Sequence, residues 1–215
     1  MLRDEMWEEA ARVVRGDVRG LLSVHDDLER RWGEPHRGYH DLRHLDEVVA
    51  ALVELRPTAV DTDAEWASVV LAAWFHDAVY DVETPSDNER LSADLARTTL
   101  SRNGVGRDVV DTTCALVEAS AAHDVTDRRG PQAAFHDADL WILGAPEDRF
   151  DGYCADVRRE YAAVPDADYA RGRSAILAPF VERGWVYLTE HARRHWEAAA
   201  RRNLRRELDR LADPA

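Results

Sequence analysis

Apolar residues recur along most of the chain at the three- and four-residue spacing of helices, while runs of β-branched residues alternating with polar ones are missing. The pattern predicts an all-α protein. From about Asp41 to Arg56, the residues Leu42, Leu45, Val48, Val49, Leu52 and Val53 form one apolar face, which Pro57 is expected to end. Asp61 or Asp63 is expected to cap the next helix. That helix is apolar nearly all round from Trp66 to Phe75, so it should be central and buried.

Residues 4–32 read as one or two helices interrupted near Gly16 and Gly20 and stopped by Gly33-Glu34-Pro35. Further helices are expected over 86–102, 107–122, 134–144, 147–163, 166–183 and 190–212. Asn103-Gly104, the polar stretch DVTDRRGPQ and Gly144-Ala145-Pro146 separate some of them. No internal repeat or low-complexity linker marks a boundary, and 215 residues suit one helical domain over 1–215.

Composition narrows the chemistry. All 28 basic residues are Arg and none is Lys, which excludes Schiff-base catalysis, a Walker-type phosphate loop and a kinase Lys–Glu pair. A formal charge of -14 opposes an extended nucleic-acid surface, although a metal ion and a few arginines can reverse the field locally. Cys114 and Cys154 are too few for a disulfide framework and read as free thiols. The longest apolar run, Val69 to Phe75, is far short of the roughly 20 residues that span a bilayer. The N-terminus MLRDEMWEEA lacks a signal peptide's apolar stretch, so a cytoplasmic protein without membrane partners is expected.

Five His-Asp dipeptides occur, at 25–26, 40–41, 76–77, 123–124 and 136–137, so context must choose among them. His25-Asp26 lies on a charged helix face and reads as a solvated pair. His76-Asp77 follows the most hydrophobic segment, where unpaired charge is costly and a ligated one is tolerated. A divalent cation between the two would satisfy both. His44 and Asp139 are the candidates for two further ligands, with water completing a six-coordinate ion.

The order His44, His76-Asp77, Asp139 resembles the HD superfamily of metal-dependent phosphohydrolases. The segments YHDLRHL (39–45), WFHDAVYD (74–81), DNERLSA (87–93) and DADLWILG (137–144) resemble a predicted, poorly characterised branch of it. RREYAAVP (158–165), GRSAIL (172–177) and ARRNLRREL (200–208) do so as well. The resemblance implies an HD-domain-like helix bundle, with a metal-ligand core at about 37–145 and a C-terminal helical extension. It also implies hydrolysis of a nucleotide or other small phosphorylated metabolite by metal-activated water.

Ligand choice is contested at two places. His40 and His44 share a helix face; His44 lies in the apolar pattern and matches the family's ligand position, leaving His40 for substrate. Asp137 and Asp139 point about 200° apart, so only one can face the ion. Asp139 shares the stripe of His136, Leu140 and Leu143, and Asp137 reads as a helix cap. Asp77 counts as both ligand and catalytic group.

Glu89 can orient or deprotonate water, and His123 can contact a second metal or phosphate, or merely close a helix. Arg37, Arg158 and Arg173 are the candidate phosphate clamps. The expected cofactor is one divalent ion, drawn from Mn, Fe, Co, Ni, Zn or Mg. A di-iron oxygenase of HD type and a noncatalytic metal-dependent binder of a phosphorylated ligand are the competing readings.

The ligand assignment predicts that His44→Ala and Asp139→Ala each abolish metal retention, whereas His40→Ala and Asp137→Ala keep most of it. Elemental analysis after desalting measures this. Loss of an outer supporting group weakens affinity by only about 10–100-fold.

Overall fold

The computed structural model describes residues 1–123 and 127–213. The described residues form eleven α-helices and two short 3-10 segments, with no strand. The helices are α1 (Leu2–Val14), α2 (Val18–Trp32), α3 (Leu42–Ala59), α4 (Asp63–Phe75), α5 (Asn88–Arg102) and α6 (Arg107–Ala119). They continue with α7 (Gly130–Asp139), α8 (Glu147–Glu160), α9 (Asp166–Glu182), α10 (Glu190–His195) and α11 (Glu197–Ala212). The 3-10 segments are Pro85–Asp87 and Leu140–Gly144. Asp124 and the two residues after it lie outside the described part, and with them the start of the polar stretch and the aspartate of the His-Asp dipeptide at 123–124.

Helix α4 is the axis of the fold. Every residue from Trp66 to Phe75 is buried, as an all-round apolar helix requires, and α1, α3, α5, α6 and α7 surround it. Its cap is Thr62 rather than either aspartate: the Thr62 hydroxyl accepts from Glu65 N while the Glu65 carboxylate accepts from Thr62 N. The Trp32 indole donates to the Trp74 carbonyl at 2.9 Å and the Trp7 ring meets Trp74 edge-on, which fixes α1 and α2 against the end of α4. Buried Arg3 adds a charged tie, donating to both Asp46 oxygens at 2.7 and 2.8 Å. A second group, α8, α9 and α11, closes over Leu140–Gly144.

Several boundaries differ from the pattern-based expectation. Helix α3 continues through Pro57 to Ala59, because burial of Leu55 and Ala59 compensates the one backbone bond that proline removes. Val53 is exposed instead of joining the apolar face. Gly20 lies inside α2 and does not break it: a Cβ there would come within 1.6 Å of the Asn103 side chain, so the glycine permits close packing. The expected helix at 190–212 divides at Trp196, whose buried ring packs on Tyr187. No helix among the described residues is long and apolar enough to cross a membrane.

Asp137 is fully buried and does not cap its own helix. Its two oxygens accept from Leu188 N at 2.8 Å and Thr189 N at 2.7 Å, so it ties α7 to the chain leading into α10. Asp137→Ala leaves the buried Thr189 N–H and the part-buried Leu188 N–H without acceptors, at about 1–3 kcal/mol for the buried one and less for the other. Urea unfolding in the presence of a chelator is expected to show a destabilisation of that size, independent of any metal.

Candidate metal centre

Three helix ends deliver donors to one point. His76 follows the last residue of α4, and its Nδ1 lies 2.9 Å from the Ala73 carbonyl, which accepts only from a proton-bearing nitrogen; Nε2 is therefore the nitrogen that faces inward and the one that would bind an ion. His44 is in the first turn of α3, capped by Asp41, and its Nδ1 meets the Tyr39 hydroxyl at 2.9 Å. Asp139 ends α7. The Nε2 atoms of His44 and His76 are 3.2 Å apart, and Asp139 Oδ1 is 3.3 Å from each.

Adjacent ligands of an ion with bonds of about 2.0–2.2 Å stand roughly 3 Å apart, so this triangle fits one face of a coordination shell. His44, His76 and Asp139 thus form a group that can hold a metal ion. Asp77 Oδ2 is 3.2 Å from His76 Nε2 and 4.0 Å from His44 Nε2, beside the triangle. Burial pulls the His76 imidazole down in pKa, but the Asp77 and Asp139 carboxylates outweigh it and hold it well above its ordinary value. Burial likewise opposes ionised Asp139, yet the histidines hold its carboxyl well below the usual range. The pocket favours positive charge at its centre.

Glu160 supports this arrangement from α8. Its Oε1 accepts three successive backbone N–H groups, from Gly38 at 2.7 Å, Tyr39 at 2.8 Å and His40 at 2.9 Å. Its Oε2 accepts from the Tyr80 hydroxyl and meets His40 Nδ1, both at 2.8 Å. Burial would raise its pKa, but these bonds, led by His40, bring it down to about 2. Gly38 is required at this approach, since a Cβ would lie 2.5 Å from the Asp156 carbonyl. The clamp sets Tyr39, and Tyr39 in turn holds the His44 ring.

A cavity of about 170 Å³ opens on the metal group. His40, Glu89, His123 and Arg173 line it together with His44, His76, Asp77 and Asp139. His123 has a left-handed backbone, φ 47°, and its Nε2 is 3.8 Å from Asp139 Oδ2; burial lowers its pKa to about 4, leaving it neutral. Burial raises Glu89. Arg173 donates to the Tyr153 hydroxyl and lies over that ring.

The other two candidate clamps are not brought to the cavity. Arg37 is wholly buried, donates to the His40 and Asp77 carbonyls at 2.9 and 2.8 Å, and bonds Glu34 with its remaining nitrogens. It braces the backbone behind the site. Arg158 donates to the Tyr161 and Val164 carbonyls and to Asp166, beside a different depression.

Sequence reasoning missed Tyr39, Tyr153 and Glu160. Tyr39 and Glu160 stand in the segments YHDLRHL and RREYAAVP, but their partners are 5 and about 120 residues away, and no local periodicity pairs them. No family model, curated protein or solved structure matches the chain.

Glu160→Ala removes a buried acceptor of five hydrogen bonds and is expected to cost about 3–5 kcal/mol at pH 7. The folded pKa lies below the ordinary 4.5, so the ionised carboxylate stabilises the fold above pH 4.5 and that contribution disappears as pH falls toward 2. Denaturant titrations across that window should show one fewer proton linked to unfolding in the variant.

Proposed function

We propose that the chain is a metal-dependent phosphohydrolase acting on a small phosphorylated metabolite. The observation that carries this reading is the convergence, in one cavity, of a metal-competent His/Asp group with Arg173, Glu89 and His123. His44, His76 and Asp139 hold the ion, and Asp77 stands close enough to His76 to serve as a fourth ligand. A divalent cation bound there lowers the pKa of water and polarises a phosphoryl oxygen.

The chain's own groups supply the remaining tasks. Glu89, whose burial favours proton uptake, accepts a proton from the attacking water. Arg173 offsets charge on the phosphoryl oxygens. His123, neutral at physiological pH, accepts or relays a hydrogen bond at the cavity wall. His40, fixed by Glu160 and stacked on Tyr80, orients the substrate. We assign this activity to the cytoplasm, where Cys114 and Cys154 persist as free thiols.

The test is to strip the protein, reload it with Mn, Fe, Co, Ni, Zn or Mg in turn, and measure bound metal together with phosphate release from nucleotides and sugar phosphates. One ion per chain and phosphate release are expected, both lost in His76→Ala. Two fully occupied adjacent sites would favour the di-iron oxygenase. Stoichiometric metal and phosphate binding without turnover would favour the noncatalytic binder.

A further inference from the structure

The metal-side cavity continues into a larger outer chamber of about 540 Å³, and His40, Glu89, Ser120, His123, Arg173 and Ile176 line both. Arg173 is the one cationic side chain other than histidine on either wall among the described residues. It pairs with no carboxylate there; one nitrogen donates to the Tyr153 hydroxyl, and its Nε is buried without a hydrogen-bond partner. In a protein with 42 acidic residues, a guanidinium left without an anion at the junction of two chambers is a site for an anion from outside.

The charge count limits that anion. A divalent ion against the carboxylates of Asp77 and Asp139 is neutral, and Arg173 adds one positive charge. One phosphate monoester, at about -1.5 to -2, already exceeds this. A second or third phosphate would extend toward walls whose remaining carboxylates are Glu89 and Asp168. The outer chamber otherwise presents Val157, Tyr161, Val164, Tyr169 and Ile176, and the Tyr169 hydroxyl is buried without a partner. These surfaces suit an uncharged apolar or aromatic body with one hydrogen-bonding edge.

We propose that the substrate is a phosphomonoester with an uncharged, apolar or aromatic alcohol portion: Arg173 holds its single phosphate and the outer chamber takes its body. This rests on the phosphohydrolase reading. Hydrolysis forms one P–O bond to water and breaks the ester P–O bond; one proton of the water goes to the leaving oxygen and the other stays on inorganic phosphate.

Calorimetric titration of the Mn-loaded chain with inorganic phosphate and with phenylphosphonate separates the two binding elements. The aryl compound is expected to bind at least about tenfold more tightly than phosphate. Arg173→Ala should weaken both by about tenfold or more with metal content unchanged, and Arg173→Lys should recover part of the loss. Tyr161→Ala, which trims the wall of the outer chamber and not that of the metal-side cavity, should bring phenylphosphonate down to the affinity of phosphate while phosphate affinity and metal content stay unchanged. In turnover, phenyl phosphate should exceed adenosine triphosphate and glycerol phosphate in kcat/KM. Equal affinity for the two ligands, an unaffected Arg173→Ala, or preference for the triphosphate overturns the substrate class while the phosphohydrolase reading stands. If folded, metal-loaded protein binds neither ligand, that reading itself fails.

Discussion

The rest of the structure is arranged around one electrostatic constraint: ring nitrogens of two imidazoles and a carboxylate oxygen meet at 3.2–3.3 Å in a buried place, with a second carboxylate beside them. Such groups do not attract one another unless positive charge lies between them. A fold that holds them there must supply rigidity from outside. Helix α4 does this by being buried on all sides, so that the residue after its last turn has a fixed position. The capped first turn of α3 and the last residue of α7 complete the arrangement.

Behind these ends lies a polar frame with few loose atoms. Arg37 grips the carbonyls of His40 and Asp77 between the rings of Trp32 and Tyr80. Glu160 grips three N–H groups of the adjoining loop and, through His40 and Tyr80, part of the cavity wall. Both are buried charges whose hydrogen bonds are directed to backbone or to fixed side chains, the condition under which buried charge orders a structure. They hold supporting groups in register, while Arg173, over Tyr153 and without a carboxylate, faces the open side.

The same accounting relates the overall charge to the site. At -14 the chain repels anions at a distance, so any affinity for phosphate has to arise within a few ångströms. Arginine suits that task better than lysine would, because its planar donors can serve an aromatic ring, a hydroxyl and an anion at once. Arg173 makes two of those contacts within the protein itself.

The residues alone determined the helical class, the centrality of Trp66–Phe75 and the candidacy of His44, His76, Asp77 and Asp139, because periodicity and burial cost are local properties of a sequence. Helical geometry and the family resemblance together separated Asp139 from Asp137: one meets the histidines, and the other, the more buried of the two, bonds Leu188 and Thr189. What local reading blurred were ends. The Thr62 capping box, the passage of α3 through Pro57 and the break at Trp196 depend on single hydrogen bonds or on packing from distant helices. Tertiary structure alone decided which arginine faces the cavity. Arg37, Arg158 and Arg173 are alike in sequence, and only the positions of carbonyls and carboxylates brought near by folding commit the first two and leave the third facing the cavity. It also revealed Glu160, whose role exists only because α8 returns to the loop before α3, about 120 residues from its own place in the chain.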